Sequence, residues 1–251
     1  AAKEKLGEDQ GKIQILAALT RLRQIKDQDE IACLRQAQRI AEEAFDALLG
    51  QIKPGMQEKE LAALLEYEMA KRGSERPSFD TILISGAKTS MPHGMPDTKP
   101  VAAGEFILVD FGAVVNGYHS DMTRTFALGS ATERMRTVYS TVLAAQETGI
   151  RMLRAGVSCD QPHLAAHQVI RDAGFGDCFG HALGHCVGLE IHESPALSPR
   201  AKQHLEPGMV ITVEPGIYLP GEFGVRIEDL LLIQPDGAED LTHTPKKLLI
   251  L

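Results

Sequence analysis

Two pairs of carboxylates and a run of three histidines are the residues of this chain whose types and spacing could do chemistry. Asp110 and Asp121 flank an Asn116-Gly117 dipeptide in FILVDFGAVVNGYHSDMTRTFAL, and Glu214 and Glu228 flank LPGEFG in VITVEPGIYLPGEFGVRIEDLLLI. Between the pairs, Phe179 to Glu193 reads FGHALGHCVGLEIHE, placing His181, His185 and His192 among closely spaced glycines. A histidine in a folded domain is more often a hydrogen-bonded structural residue than a ligand, so three of them carry little alone. Four carboxylates converging with an imidazole make an oxygen-rich site, which favours manganese over thiolate-seeking metals, with cobalt and zinc as alternatives. The chemistry expected of such a set is hydrolysis at a two-metal centre.

The elements that must position these residues read as hairpins. Asn-Gly is a strong signal for a two-residue type I′ turn between alternating strands. With that turn as the tip, Val115 pairs with Tyr118 and paired positions sum to 233, which sets Asp110 opposite Thr123 and Asp121 opposite Gly112. Side chains alternate with period two, so both aspartates project from one face as diagonal neighbours at roughly 7 Å or less. That suits carboxylates shared by metals roughly 3.5–4 Å apart. In the second segment a turn centred on Gly221 puts Glu214 directly across from Glu228. Like charges so placed repel, so either the register differs or a cation sits between them. His181 and His185 are four apart, as on a ligand-bearing helix, but Gly180, Gly184 and Gly188 disfavour helix. An irregular strand, with its backbone packed close to the site, is expected there instead.

Around the hairpins the chain is helical and repeats itself. Residues 27–50 place Ile31, Leu34, Ile40, Phe45, Leu48 and Leu49 near one helical face, and a second helix carries Leu61, Leu64, Leu65 and Met69 and ends at Gly73. Residues 130–175 repeat the arrangement, with Ser130 and Glu133 as a capping box for a helix to Leu153, and Ser158 with Gln161 opening a fourth that ends at Gly174. Gly55 and Gly73 become Gly156 and Gly174 under one offset of 101 residues, which points to an internal duplication. Two such halves would bring their hairpins together at a pseudo-two-fold centre, sheet inside and helices outside: an α+β fold.

The 251 residues, 43% hydrophobic and 24% charged, are ordinary for a soluble globular chain of one large domain or two small ones. A net charge of −8 argues against nucleic acid and against anionic membrane as partners. No apolar run approaches the roughly 18 residues of a spanning helix, and the first residues lack an apolar signal core, so a cytoplasmic setting is expected. Cys33, Cys159, Cys178 and Cys186 form no CxxC and are expected to be reduced and structural. His163 and His167 share a helical face that reads as solvated, as does Lys246-Lys247, and His119, His204 and His243 receive no role.

With VDFGAVVNGYHSDMTRTF, GHALGHCVGLEIHE, TVEPGIY and GVRIED in this order, the chain from about residue 21 onward resembles the pita-bread metallopeptidases of family M24. The closest likeness is to the branch of proline dipeptidase (prolidase) and Xaa-Pro aminopeptidase. The resemblance implies a pita-bread fold, with pseudo-two-fold duplicated halves, a central curved antiparallel sheet and outer helices. It implies two divalent metal ions held by Asp110, Asp121, His185, Glu214 and Glu228, with Asp121 and Glu228 bridging. His93 in SMPHG and His192 would assist catalysis with Glu214, and His181 and Arg226 would line the proline side of the substrate pocket. The implied substrate is a small peptide with proline at the second position, and a homodimer is the usual assembly. Members of the branch usually carry an N-terminal domain, so residues 1–26 are expected to be a tail or the remnant of such a domain and 27–251 the catalytic domain. Ala182 in HALGH and Lys88 in SGAK depart from the family's usual residues and bear on fine substrate preference. Methionine aminopeptidase is the rival enzyme, disfavoured by His181, EPGIY and VRIED. A non-catalytic peptide-binding module on the same fold is the rival of another class.

Overall fold

The computed structural model describes residues 18–251. Residues 18–24 are helical, followed by α1 (Gln28–Leu49) and α2 (Glu58–Lys71). Asp27 caps α1: its carboxylate accepts from the amides of Asp29 and Glu30, while Glu30 accepts from the Asp27 amide. The next elements are β1 (Ile82–Ser85), β2 (Phe106–Phe111), β3 (Val114–Val115), β4 (Tyr118–His119) and β5 (Met122–Ala127). The second half repeats the plan with α3 (Glu133–Met152), α4 (Asp160–Asp172), β6 (Gly184–Cys186), β7 (Glu193–Leu197), β8 (Val210–Val213), β9 (Gly216–Leu219), β10 (Phe223–Arg226), β11 (Asp229–Gln234) and β12 (Gly237–Asp240).

The duplication read from the glycine offset is visible in the backbone. Gly55, Gly73, Gly156 and Gly174 all take positive φ, ending equivalent turns of the two helix pairs. Each half has its own core. Phe45 of α1 stacks on Phe111 at 5.6 Å and meets Phe126 edge-on at 6.0 Å, closing α1 and α2 over the β2–β5 hairpin. Val138, Val142 and Ala166 close α3 and α4 over Ile211, Val213 and Leu231. The start of α1 ties the halves together, since Ile31 and Leu34 pack on Val187, Val210 and Leu230.

Both hairpin registers agree with the pairing read from the sequence. Val115 faces Tyr118 and Asp110 faces Thr123. In the second hairpin Phe223 faces Leu219, Arg226 faces Gly216 and Asp229 faces Val213, all centred on Gly221. Between these pairs the strands part. The Glu228 amide donates to the Thr123 carbonyl at 3.1 Å, and the Glu214 amide to Leu183 at 2.7 Å. The ladder thus hands over from one hairpin to the other where Glu214 and Glu228 stand.

The helix starts in the second half correct the expected caps. Thr132 rather than Ser130 caps α3, because its hydroxyl lies in reach of the Met135 amide at 3.2 Å. Ser158 is drawn into a bridge with His204, so α4 begins later, at Asp160. HALGH enters the sheet as β6, between β7 and β8, with a register shift at His185 and Cys186. A Cβ on Gly184 would lie 1.9 Å from the Thr212 carbonyl oxygen, so the strand can approach only as glycine. Gly184→Ala is expected to cost about 3 kcal/mol, the upper end of an overpacking penalty. A lowered urea midpoint checks this, and an unchanged midpoint refutes the packing.

Two surface expectations are also corrected. His163 is buried rather than solvated, because that face of α4 covers Phe179, with ring centroids 5.5 Å apart. Lys246 is half-buried and ion-pairs with Asp229, itself fully buried, and with Asp240. The four cysteines are free thiols. Cys186 is fully buried, which pushes its thiol up to about 12.

Candidate active site

Where the two hairpins meet β6 the structure leaves a cavity of about 520 Å³. All nine residues singled out from the sequence line it: His93, Asp110, Asp121, His181, His185, His192, Glu214, Arg226 and Glu228. Asp110 leaves β2 and Asp121 immediately precedes β5, which gives both aspartates to the first hairpin. Glu214 and Glu228 come from the gap in the second, and His185 from the bulge of β6. His93 and His192 are exposed residues at the rim, on the segments after Ser90 and Cys186.

The deepest part is carboxylate-rich. Nε2 of His185 lies 3.5 Å from Asp121 Oδ2 and 3.5 Å from Glu214 Oε1. One ligand atom each from Asp121, His185 and Glu228 falls within 4.8 Å of the others. The His185 Nδ1–H donates to the Cys186 carbonyl at 3.1 Å, which leaves Nε2 as a lone pair facing two carboxylates. This is the tautomer of a metal-facing imidazole. Burial and the neighbouring His192, whose ring centroid is 4.4 Å away, push His185 down to about 4 and keep it neutral.

The carboxyls are perturbed in the opposite sense. Burial, reinforced by Asp110 and Glu214, holds Asp121 well above the usual range, and burial with Asp121 and Glu214 does the same to Glu228. Glu214 is pushed up to about 8 by burial, with Arg226 counteracting and Asp110 adding. Asp110 pairs with Arg226 through Oδ2, while its Oδ1 is buried without a hydrogen-bond partner among the described residues. Four converging carboxyls, one counter-cation, an orphaned oxygen and an imidazole lone pair form a donor set that fits divalent metal. The hydroxyls beside it are oriented to serve the carboxylates. Thr123 donates to Glu228 at 2.6 Å, and Thr212 donates to Glu214 at 3.3 Å while accepting the His185 amide at 3.1 Å.

A second chain of contacts runs along one wall. Arg226 donates to the Tyr218 hydroxyl at 2.9 Å, and that hydroxyl donates to Nε2 of His181 at 2.9 Å. The opposite ring nitrogen of His181 meets the Ala182 carbonyl at 2.8 Å, which fixes the tautomer. Burial pushes His181 down to about 4. Arg226 also reaches Thr123 at 3.1 Å, so the metal-side and wall-side groups share one network. Tyr218, Thr123 and Thr212 were not singled out from the sequence. Their signal was present: Thr123 and Thr212 lie two residues from Asp121 and Glu214 and so share a strand face with them, and Tyr218 ends the EPGIY motif.

Fold and cavity together define the class of pita-bread metallopeptidases. Residues 32–235 match metallopeptidase family M24, and the chain belongs to that family, in its proline dipeptidase branch. It is 44% identical over 228 residues to the Xaa-Pro dipeptidase of Pyrococcus furiosus, covering 91% of this chain and 66% of that one. Among solved structures it is similar to an X-Pro aminopeptidase from Thermotoga maritima, at a TM-score of 0.92 and 43% identity over 94% of this chain and 67% of the other. It is similar also to an Xaa-Pro dipeptidase from Bacillus anthracis, at a TM-score of 0.92 and 43% identity, covering 93% and 66%. The chain thus spans about two thirds of the length of these relatives.

Proposed function

We propose that the chain is a dinuclear metal-dependent peptidase that hydrolyses the bond between an N-terminal residue and a following proline. The observation that carries this reading is the meeting in one cavity of the carboxylate cage with His181 and Arg226, which the Tyr218 hydroxyl links. Asp110, Asp121, His185, Glu214 and Glu228 would hold the metal, and the oxygen-rich set favours manganese. When bound, two such ions supply an activated water and polarise the scissile carbonyl. Glu214, whose carboxylate accepts from the Thr212 hydroxyl, would take the proton of the attacking water and pass it on. His192 and His93 at the rim hydrogen-bond the developing oxyanion or protonate the leaving nitrogen, which in an Xaa-Pro bond is a tertiary amide with no proton of its own. Arg226 and His181 face the proline side, with Phe79 and Ile82 supplying apolar lining. The four free thiols support a reducing, cytoplasmic setting.

A manganese-loaded assay tests the reading with an Xaa-Pro dipeptide, an Xaa-Pro-Yaa tripeptide and a Met-Ala-Xaa peptide. Turnover of either proline substrate over Met-Ala-Xaa is expected. Preference for Met-Ala-Xaa would indicate a methionine aminopeptidase, and failure to bind two equivalents of manganese a non-catalytic module. The wall carries its own prediction. Tyr218→Phe removes only the hydroxyl between His181 and Arg226, so kcat/KM for Xaa-Pro should fall roughly 10-fold, the worth of about one hydrogen bond to a charged group. The loss should appear mainly in KM, and steady-state kinetics on the dipeptide check it.

A further inference from the structure

We propose that Arg23 and Lys26, which lie before the segment matched by the family model, are positioning residues for His192 and act through Glu193. This rests on the reading of His192 as a group that assists peptide hydrolysis. The family model's match begins at residue 32, and the segment holding Arg23 and Lys26 was expected to be a tail or the remnant of an N-terminal domain. The structure instead brings Thr20, Arg23 and Gln24 to line a small cleft together with Glu190, His192, Glu193 and Ser194.

The contacts converge on one carboxylate. Glu193 Oε1 accepts from Arg23 Nη2 at 2.6 Å and Nε at 3.2 Å, and from the Glu190 amide at 3.3 Å. Its Oε2 accepts from Lys26 Nζ at 3.0 Å. The Lys26 and Glu193 side chains are 1% and 6% exposed, so this pair is shielded from solvent in a way surface ion pairs are not. Burial opposes ionisation of Glu193, but Lys26 and Arg23 outweigh it and hold the carboxyl below its usual range. Lys26 is itself fixed, because its amide donates to the Gly208 carbonyl at 2.9 Å.

The clamped carboxylate closes the loop that carries His192. The segment from Val187 to His192 links β6 to β7, and its inner contacts are few: Gly188 donates to the Glu190 carbonyl, and Glu190 donates to Glu193. His192 immediately precedes Glu193 and lies against His185. Gln24 adds a contact to Ser194 on the other side at 3.3 Å. His192 itself lies outside the ladder, directly before β7, whose first residue Glu193 pairs with Cys186, so the clamp on the Glu193 side chain fixes the strand end from which the ring projects. A displacement on the order of 1 Å in a reacting group can cost roughly 10²-fold in rate.

A double-mutant cycle on the manganese-loaded protein separates positioning from general stability. Lys26→Met should lower kcat on an Xaa-Pro dipeptide roughly 10-fold with KM held within about 2-fold, a part of that misplacement cost. In the His192→Ala background the same substitution should change kcat less than about 2-fold, because residues acting as one unit are not additive. Lys26→Arg, which restores a cation, should recover most of the loss. Equal losses in both backgrounds would overturn the proposal, as would a loss falling mainly on KM. If Lys26→Met fails to fold, Arg23→Met, at a half-exposed side chain, enters the same cycle with the same criteria. An unmodified protein inactive on Xaa-Pro peptides would instead overturn the functional reading on which the clamp rests.

Discussion

Replacing Asp121 by asparagine is expected to lower kcat on an Xaa-Pro dipeptide by at least roughly 10²–10³-fold, the cost of losing one electrostatic element aimed at the reacting centre. The amide keeps the shape of the carboxyl, and Asp121 is 4% exposed, so the change is one of charge and lone pairs rather than volume. Its Oδ2 stands 3.5 Å from Nε2 of His185 and belongs to the same cluster as Glu228. An asparagine there offers one neutral oxygen and an N–H in place of an anion, which weakens a cation's hold on this cluster. Metal content should fall below two equivalents in parallel with activity. Stability without metal should move the other way, because one of four mutually repelling carboxyls is gone. Thermal unfolding of the metal-free variant should therefore match or exceed that of the unmodified protein. Full activity with full metal content would remove Asp121 from the site, and a large loss of metal-free stability would make its role structural.

Much of this arrangement was legible because it rests on short-range rules. Asn116-Gly117 fixes a two-residue turn, and counting outward by twos places Asp110 against Thr123 without any tertiary information. The register centred on Gly221 likewise predicted Glu214 facing Glu228, and the observed pairs on either side keep that centre. The repulsion anticipated for that pairing is met in the structure by the strands parting there, the Glu228 amide turning to the Thr123 carbonyl and the Glu214 amide to the Leu183 carbonyl. Hidden from the sequence were features set by long-range packing. His163 looked solvated on a helical wheel, but Phe179 arrives from sixteen residues away to cover it. Lys246 read as surface because nothing near it in sequence shows that Asp229 lies buried beside it, already paired with Arg124. The expected cap of α3 missed by two residues, with Thr132 in place of Ser130, and that of α4 by one, because Ser158 is held in a bridge with His204 and Cys159 takes the cap position. Residues 18–26 carried no periodicity strong enough to announce that Arg23 and Lys26 would clamp Glu193. Residues 1–17 of the expected tail lie outside the described residues.

The cavity also assembles its charge from parts that are unremarkable one at a time. Each hairpin contributes two acidic residues whose repulsion would be relieved by exposure to water if the hairpin stood alone. The two hairpins are joined by the Glu228 amide to Thr123 carbonyl bond and by the Thr125 hydroxyl, which donates to the Arg226 carbonyl at 2.9 Å. Arg124 reinforces the seam, donating to the Thr123 carbonyl at 3.0 Å, to the Glu228 carbonyl and to Asp229 at 2.7 Å. Hydrogen bonds of this seam hold the carboxyls together against their charge. Function at this site is therefore bought with local instability, and the stability of the metal-free chain should report it.

That instability makes the stability of the metal-free protein fall as pH rises from 6.5 to 8, and makes stabilisation by manganese grow over the same interval. Burial pushes the Glu214 carboxyl up to about 8, and those of Asp121 and Glu228 are raised well above their ordinary values of 3.8 and 4.5. The folded chain then holds protons that the unfolded chain has released, so each rise in pH favours unfolding until the folded groups also ionise. His181 and His185 act in the opposite sense below pH 6.5, since their folded values near 4 make them neutral where the unfolded chain is protonated. At pH 6.5 the unfolded histidines are still half protonated and oppose the carboxyl slope, but they lose that proton within about one pH unit, after which the carboxyls alone set the slope. One retained proton across that window is worth about 2 kcal/mol, from the standard cost per pH unit. For a chain of this size that corresponds to roughly 4–8 °C in Tm. Bound divalent cations take the place of the protons, so the manganese-induced rise in Tm should be larger at pH 8 than at pH 6.5 by at least that amount for each carboxyl displaced. Calorimetry of the protein with chelator and with manganese at the two pH values measures both slopes. A metal-free Tm that stays level or climbs between pH 6.5 and 8, or a manganese effect equal at both, would show that the cavity carboxyls are ionised without metal and that the cage is not what binds it.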